Sequence, residues 1–175
     1  MSRFSFATNN TVQDTVSRIG VIISRLDDKN EPRVLLMKRI DHSWVDTDGH
    51  KVKWGFPKTG QNLTEETTML QTAMHVCETK LKTKIAANRF HYIYKITPHR
   101  VPHNRYKSLE YYWSIDEQEK GEFLHLSGTH LDGSMETQYI WVTLNELKEL
   151  NKYDAICYGT KQWLHHYSEQ EFLTE

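Results

Sequence analysis

The chain has 175 residues with 22 basic and 23 acidic side chains, so its formal net charge is −1. This balance does not favour binding to nucleic acid through a global positive field. The 2 cysteines are too few for a disulfide framework or a zinc cluster. No apolar run is long enough to cross a membrane, and the N-terminus lacks the apolar segment of a signal peptide. We therefore expect a cytoplasmic protein without a membrane span, with an N-terminal arm at residues 1–16 and one domain at residues 17–175.

Two strands are predicted at the start of the domain. Residues 17–25 (SRIGVIISR) are almost continuously apolar in their centre, which is typical of a central strand covered on both faces. Residues 33–40 (RVLLMKRI) are predicted to form a second strand, and the charged segment at residues 26–32 predicts a turn between them. A polar loop follows at residues 41–52. The domain is therefore predicted to open with a hairpin.

The most informative stretch runs from Trp54 to Ile85. Its first part, WGFPKTG, places glycine and proline between bulky side chains, as in a rigid loop that makes close backbone contacts. A helix is predicted after this loop, with Asn62 as a candidate N-cap. On a helical wheel the face around His75 is polar, and the opposite face is apolar and predicted to join the core. The polar face around His75 contains Thr68, Gln71, Thr72, Glu78 and Thr79.

This stretch resembles the Nudix box, a family pattern in which a glycine is followed by a helix with arginine and several glutamates at fixed spacing. Gly60 matches the first glycine, and Glu66 matches the first glutamate. Further along, Val76 matches the aliphatic position and Glu78 the central glutamate. The lead-in WGFPK is also similar to that of the dinucleoside-polyphosphate and diphosphoinositol-polyphosphate branches of the family. The chain departs from the pattern with Met74 and His75 for Arg-Glu, Thr79 for the next glutamate, and Leu81 and Lys82 for glycine and the last aliphatic residue.

The resemblance implies an α/β fold, a Nudix-type α/β/α sandwich whose mixed sheet lies between the box helix and the C-terminal helices. In Nudix enzymes water attacks a pyrophosphate link with the help of Mg²⁺ or Mn²⁺, which the glutamates of the box hold. Carried over to this chain, the resemblance implies that Glu78, His75 and Glu66 are the catalytic residues and the metal ligands. Imidazole suits transition metals better than Mg²⁺. Without the family pattern, an ordinary solvated helix face is the alternative interpretation of these residues.

A concentrated basic segment is predicted between two further strands, at residues 90–97 and 109–115. The intervening loop, residues 98–107 (PHRVPHNRYK), carries three fixed positive charges. Its arginines and lysine could hold phosphates, and Trp113 on the next strand could stack on a base. The alternatives are a solvated loop and a strand whose aromatic side belongs to the core. The candidate substrate-binding residues are Lys58, Arg100, Arg105, Lys107 and Trp113.

The C-terminal third is predicted to complete the sandwich. Thr143 and Glu146 form a capping-box pattern, which predicts the start of a helix directly after a strand. The other segments are predicted as a short strand at residues 123–126, a loop at 127–134, the last strand at 137–142 and a closing helix at 153–171.

Three classes of function are compatible with a Nudix box of this composition. The favoured class is a binding protein with weak or no hydrolysis, whose ligand is a nucleoside-diphosphate-linked molecule or RNA. The second class is an active pyrophosphohydrolase that uses Mg²⁺ or Mn²⁺ on dinucleoside polyphosphates, nucleotides or RNA 5′ ends. The third class uses the fold only as an interaction surface. A metal cofactor is expected for the second class alone, and a homodimer is a further expectation from the family.

Overall fold

A computed structural model describes residues 15–41, 52–60, 68–100, 107–117 and 121–174 of the chain. Within these ranges the chain forms seven strands and three α-helices. The strands are β1 (Thr15–Leu26), β2 (Pro32–Asp41), β3 (Lys58–Gly60), β4 (His91–Arg100), β5 (Lys107–Asp116), β6 (Gly128–Asp132) and β7 (Met135–Val142). The helices are α1 (Met69–Lys80), α2 (Leu144–Lys152) and α3 (Tyr158–Thr174), and a short 3-10 turn spans Ala87–Arg89.

These strands form one mixed sheet in the order β4-β5-β1-β2-β7-β6, with β3 added to β1. β1 pairs in parallel with β5, from Thr15 opposite Lys107 to Ser24 opposite Asp116. The remaining pairs between described strands are antiparallel, including the predicted hairpin of β1 and β2. The prediction of a central strand at residues 17–25 is confirmed, because β1 has hydrogen-bonded neighbours along both edges.

Side chains alternate along β1 between two hydrophobic cores, one on each face of the sheet. Ile19 and Val21 pack in the core that also holds Val76 of α1. Ile22 packs in the core that also holds Leu147 of α2 and residues near α3. Both faces of β1 are therefore buried, which explains its almost continuous apolar sequence. The predicted sandwich is confirmed, with α1 on one face of the sheet and α2 and α3 on the other.

The turn between β1 and β2 is organised by Asp27. Its Oδ1 accepts hydrogen bonds from the backbone N–H groups of Lys29 at 2.8 Å and Glu31 at 2.9 Å. Its Oδ2 accepts a hydrogen bond from Arg33 Nε at 2.9 Å. The hydrogen bond from Glu31 and then that from Arg33 lower the pKa of Asp27 from 3.8 to about 2. The folded hairpin therefore stabilises the carboxylate form of Asp27.

We expect Asp27→Asn to lower stability at pH 7 and to reduce the sensitivity of the fold to acid. A carboxyl group with a lower pKa in the folded state stabilises the fold above its unfolded pKa of about 4, and this contribution is lost as the pH falls towards 2. The urea midpoints of the wild type and of Asp27→Asn should therefore converge between pH 4 and pH 2. Equal midpoints at pH 7 would contradict this role of Asp27.

The structure corrects three predictions of local structure. β4 continues through Pro98 to Arg100, which were predicted as loop. Proline is tolerated there because β4 is at the edge of the sheet. The strand predicted at residues 123–126 is absent, because residues 122–125 form a turn, and residues 128–132, predicted as loop, form β6. All five residues of β6 are exposed, so the alternation of apolar and polar residues that identifies a strand is absent.

The predicted capping box at the start of α2 is confirmed. Thr143 Oγ1 accepts a hydrogen bond from the N–H of Glu146 at 3.1 Å, and Glu146 Oε1 accepts one from the N–H of Thr143 at 3.3 Å. The closing helix begins at Tyr158, later than predicted. None of the helices in the described ranges is long and apolar enough to cross a membrane.

Candidate functional site

The box helix, α1, has its N-cap at Thr68. The Thr68 hydroxyl accepts a hydrogen bond from the N–H of Gln71 at 3.1 Å, and Gln71 Oε1 accepts one from the N–H of Thr68 at 2.7 Å. Asn62, predicted as the N-cap, and Glu66, predicted as a ligand, lie outside the described residues. The part of the box that the structure describes therefore begins at residue 68.

Three positions of the box are exposed on α1. His75, Glu78 and Thr79 face solvent as the helical wheel predicts, whereas Thr72, predicted on the same face, is buried. Thr72 is accommodated in the core because its hydroxyl donates a hydrogen bond to the carbonyl oxygen of Thr68 at 3.1 Å. The Thr79 hydroxyl likewise donates to the carbonyl oxygen of His75 at 2.8 Å. Glu78 is therefore the single carboxylate that α1 presents.

α1 ends at the position where the Nudix pattern has a glycine. Leu81 occupies that position and is fully buried in the core. The next residue, Lys82, takes a left-handed φ of 53°. The N–H of Thr83 then donates to the carbonyl oxygen of Cys77 at 3.0 Å, which satisfies an acceptor of the last turn. The chain reversal is thus made one residue later than in the pattern, by a lysine whose side chain remains exposed.

A cleft of about 660 Å³ lies between the end of α1 and the β6–β7 hairpin, with β2 and β3 contributing to its lining. Three fixed cations line it: Arg39 from β2, and Lys80 and Lys82 from the end of α1. Asp132 is the one acidic residue among the described residues of the lining. The cleft is therefore electropositive. Its lining also contains the imidazoles of His75, His125 and His130.

Hydrogen bonds connect the walls of the cleft. Tyr139 Oη, on β7, donates to the carbonyl oxygen of Lys80 at 2.8 Å, and His125 Nε2 donates to that of Leu81 at 3.3 Å. Burial lowers the pKa of Lys80, and the Arg39 guanidinium lowers it further. The two cations are thus close enough to repel each other, and an anion bound between them would relieve that repulsion.

The described residues do not fit the divalent metal that the Nudix pattern implies. Mg²⁺ binds through several oxygen ligands in a nearly octahedral shell. Across residues 15–41, 52–60, 68–100, 107–117 and 121–174, no three His, Cys, Asp or Glu side chains are grouped so that they could hold a metal ion. Glu78 does not line the electropositive cleft. The chemistry of this face is therefore better suited to an anion than to a cation.

Lys58, predicted as a phosphate ligand, lies on the opposite face of the sheet from α1. Its Nζ is 3.4 Å from Glu110 Oε2. Glu110 also accepts a hydrogen bond from Tyr112 Oη at 2.7 Å, and Tyr112 belongs to the core beneath α2 and α3. The neighbouring Thr59 lines the cleft instead. The structure therefore does not bring Lys58 together with His75 and Glu78.

The other predicted ligand residues lie towards the β4 edge of the sheet. Trp113 packs against the core on the α1 face, with its ring centroid 5.2 Å from that of Tyr92 in an edge-to-face arrangement. Arg100 and Lys107 are register partners at the ends of β4 and β5. Arg105 lies outside the described residues. The structure thus brings two of the basic residues together, at the edge of the sheet opposite to β6.

Sequence patterns missed most of the cleft. Alternation along β2 could have predicted the face on which Arg39 lies. Arg39 is two residues after Met37, so both side chains lie on the same face of the sheet, the face that α1 covers. The sequence marks Lys82 only because it replaces the last aliphatic residue of the Nudix pattern. His125 and His130 lie in a segment without a recognisable strand pattern, and no sequence signal linked them to α1.

No protein-family description matches the chain, and no curated protein does. Solved structures do match. The NUDIX domain of Shewanella oneidensis NrtR, in complex with ADP ribose, is 12% identical with a TM-score of 0.60, over 97% of this chain and 99% of that one. A NUDIX hydrolase from Nitrosomonas europaea is 12% identical with a TM-score of 0.58, over 89% and 90%. The T. brucei MERS1 protein, in complex with RNA, is 14% identical with a TM-score of 0.50, over 62% and 36%. The chain therefore has the Nudix fold.

Proposed function

We propose that this protein binds a phosphate-bearing ligand, either a nucleoside-diphosphate-linked molecule or RNA, and hydrolyses it weakly or not at all. One observation carries the proposal: among the exposed box positions of α1, Glu78 alone supplies a carboxylate, while the Thr79 hydroxyl donates to the helix backbone. Metal ions stabilise the pyrophosphate transition state by several kcal/mol. A loss of about 4 kcal/mol slows a reaction roughly a thousandfold.

Two of the compared structures support the choice of ligand. The NrtR domain was solved with ADP ribose and MERS1 with RNA, so the Nudix fold holds both kinds of molecule. The RNA alternative has additional support in the register pairing of Arg100 with Lys107, because basic residues far from the cleft suit a ligand with many phosphates.

The active pyrophosphohydrolase remains the second candidate. It is favoured by the structural similarity to the Nitrosomonas europaea hydrolase and by the exposed carboxylate of Glu78. In that case Mg²⁺ or Mn²⁺ would be required, and Glu66 would have to complete the ligand set together with His75.

Binding and hydrolysis should be measured on the same protein. We expect calorimetry to show binding of ADP ribose or single-stranded RNA in the presence of EDTA. With Mg²⁺ or Mn²⁺, turnover of ADP ribose or diadenosine polyphosphate should be at least about a thousandfold below that of a Nudix enzyme with a complete box. Glu78→Gln, which keeps the shape and removes the charge, should leave binding unchanged.

The reverse substitution provides a positive control. His75→Glu combined with Thr79→Glu restores the carboxylates of the box, and this double variant should bind Mn²⁺ more tightly than the wild type. Metal-dependent turnover in the wild type that Glu78→Gln abolishes would overturn the proposal in favour of the hydrolase.

A further inference from the structure

A second cavity, of about 360 Å³, lies on the face of the sheet that α2 and α3 cover. Its floor consists of apolar side chains from three neighbouring strands: Ile22 of β1, Val34 of β2 and Val142 of β7. These three residues belong to the core that also contains Leu147 of α2. Among the described residues, the cavity shares none of its lining with the electropositive cleft on the α1 face. The two spaces are therefore separate.

Two aromatic rings of α3 form one wall of this cavity. Trp163 and His166 are three residues apart, so both project from the same side of the helix. The Trp163 ring meets that of Phe56 edge-to-face, with the ring centroids 5.4 Å apart. The His166 ring lies nearly parallel to that of Tyr94, with the centroids 5.6 Å apart. These contacts hold both rings in place, so the wall suits a flat aromatic ligand that stacks on them or meets them edge-on.

Two serine hydroxyls give the cavity its hydrogen-bonding character. Ser24 Oγ donates to Asp116 Oδ1 at 2.6 Å, and both strands that carry these residues are paired. Ser114 Oγ donates to the carbonyl oxygen of His91 at 3.4 Å. A hydroxyl has one donor and two acceptor lone pairs, so each of these lining serines retains an acceptor. A ligand with a hydroxyl or N–H group therefore matches them.

Exposed apolar residues border the cavity, and its lining carries no fixed charge. Ile93 lines the cavity and is 36% exposed. Leu26 is 61% exposed and is the register partner of the lining residue Pro32, so both side chains lie on the same face. No Lys, Arg, Asp or Glu side chain is among the described residues of the lining. A charged ligand would lose its hydration here without gaining a partner, so a neutral ligand is favoured.

We propose that this cavity is a second ligand site, which binds a neutral, compact aromatic molecule with a hydroxyl or N–H donor. Its volume is near the lower end of the range for small-molecule sites, roughly 300–1,000 Å³, so a ligand of about two fused rings fits. The apolar floor and the aromatic wall supply affinity, and the serine acceptors orient the donor of the ligand. This site is independent of the proposed function, because the box helix lies on the opposite face of the sheet.

The bicyclic phenol 2-naphthol is a suitable probe, because it is neutral at pH 7 and has one hydroxyl donor. Titration followed by ¹H–¹⁵N NMR should give a Kd of roughly 10–100 µM. The amide signals of Ser24, Val34 and Ser114 should shift, and those of His75 and Glu78 on α1 should not. The related molecule 2-methoxynaphthalene lacks the donor and should bind about three- to tenfold more weakly. The anion 2-naphthoate should bind at least about tenfold more weakly than 2-naphthol.

Two sets of variants test the assigned contacts. Ser24→Ala combined with Ser114→Ala removes the acceptors, so it should weaken binding of 2-naphthol about three- to tenfold and leave that of 2-methoxynaphthalene unchanged. A misfolded variant could not produce this difference between the two probes. Ile93→Trp places a larger side chain at the border of the cavity and should weaken both probes at least about tenfold. Leu131→Trp, the same kind of change on the exposed strand β6, is the matched control and should bind both probes like the wild type.

Three results would overturn the proposal. If 2-naphthol leaves the amide signals of the cavity unshifted, the cavity is not a ligand site. If the shifts follow exposed apolar residues such as Leu131 and Tyr153 instead, the probe adheres to the surface without a specific site. If 2-naphthoate binds as tightly as 2-naphthol, the assigned ligand chemistry is wrong. None of these results bears on the proposed function, which is measured with ADP ribose or RNA.

Discussion

Replacing Gly20 by alanine should lower the free energy of unfolding by about 3 kcal/mol, at the upper end of the usual cost of overpacking a core. Gly20 lies in the central strand β1, and a Cβ atom there would lie 2.8 Å from Cδ1 of Tyr112 and closer still to Cε1. The Tyr112 ring cannot move aside easily. It is 1% exposed, its hydroxyl donates to Glu110, and it packs against Phe56 and Tyr94.

Urea unfolding of Gly20→Ala in the wild type and in Tyr112→Leu tests whether the contact with the Tyr112 ring causes the loss of stability. In the Tyr112→Leu background the ring is absent, so Gly20→Ala should cost much less than it does in the wild type. A double-mutant cycle then gives the coupling between the two positions directly. The same loss in both backgrounds would show that the destabilisation has another origin.

Replacing Glu110 by alanine should cost a similar amount, about 3 kcal/mol. The change removes the acceptor of the Tyr112 hydroxyl and the carboxylate that neutralises Lys58. Burial, and then the charge of Glu110, raise the pKa of the Tyr112 hydroxyl well above its ordinary value, so this group remains a donor at neutral pH. A buried donor without its acceptor costs about 1–3 kcal/mol. The Lys58 side chain is 26% exposed, so water reduces the additional loss from the ion pair.

Two further variants separate the contribution of the Tyr112 hydrogen bond from that of the Lys58 ion pair. Glu110→Gln retains an acceptor for Tyr112 and should lose less stability than Glu110→Ala. Lys58→Met should lower the urea midpoint while leaving the affinity for ADP ribose unchanged, because Lys58 is on the opposite face from the cleft. If a folded Lys58→Met protein bound ADP ribose more weakly than the wild type, Lys58 would have to be part of the binding site.

The elements that were predicted well are those whose sequence carries a local physical signal. Residues 17–25 are apolar throughout because both faces of β1 are covered, and that pattern is visible without any structure. Thr143 and Glu146 predict the start of α2 because both partners of the capping box lie within four residues. The spacing of the box residues similarly predicted the Nudix fold and its sandwich.

The elements that were missed lack a pattern in their own residues, because pairing and packing within the fold determine them. β6 is fully exposed and is a strand only because it pairs with β7. β4 extends past Pro98 only because β5 lies beside it at the edge of the sheet. The helical wheel predicts Thr72 on the polar face, but its hydroxyl bonds to the helix backbone and the residue is buried.

The candidate site was predictable only in part for the same reason. His75 and Glu78 are marked by the box, and both are exposed on α1 as predicted. The cleft beside them is assembled from β2, α1, β6 and β7, so its charge depends on tertiary structure. Lys58 is predicted as a phosphate ligand together with the basic loop, yet alternation along β3 directs its side chain to the face opposite to that of Thr59.

The parallel pairing of β1 with β5 has a consequence for how the chain folds. Ser24 and Asp116 are 92 residues apart, and Ser24 Oγ donates to Asp116 Oδ1 at 2.6 Å across this ladder. β1 and β2 can form their hairpin early, because the turn at Asp27 is short and locally stabilised. The centre of the sheet is completed only when β5 pairs with β1. This pairing closes a long loop, and the intervening chain loses conformational entropy when the loop closes. Contacts of such long sequence separation slow folding, so the rate-limiting step should be the docking of β5, on a timescale of roughly milliseconds to seconds.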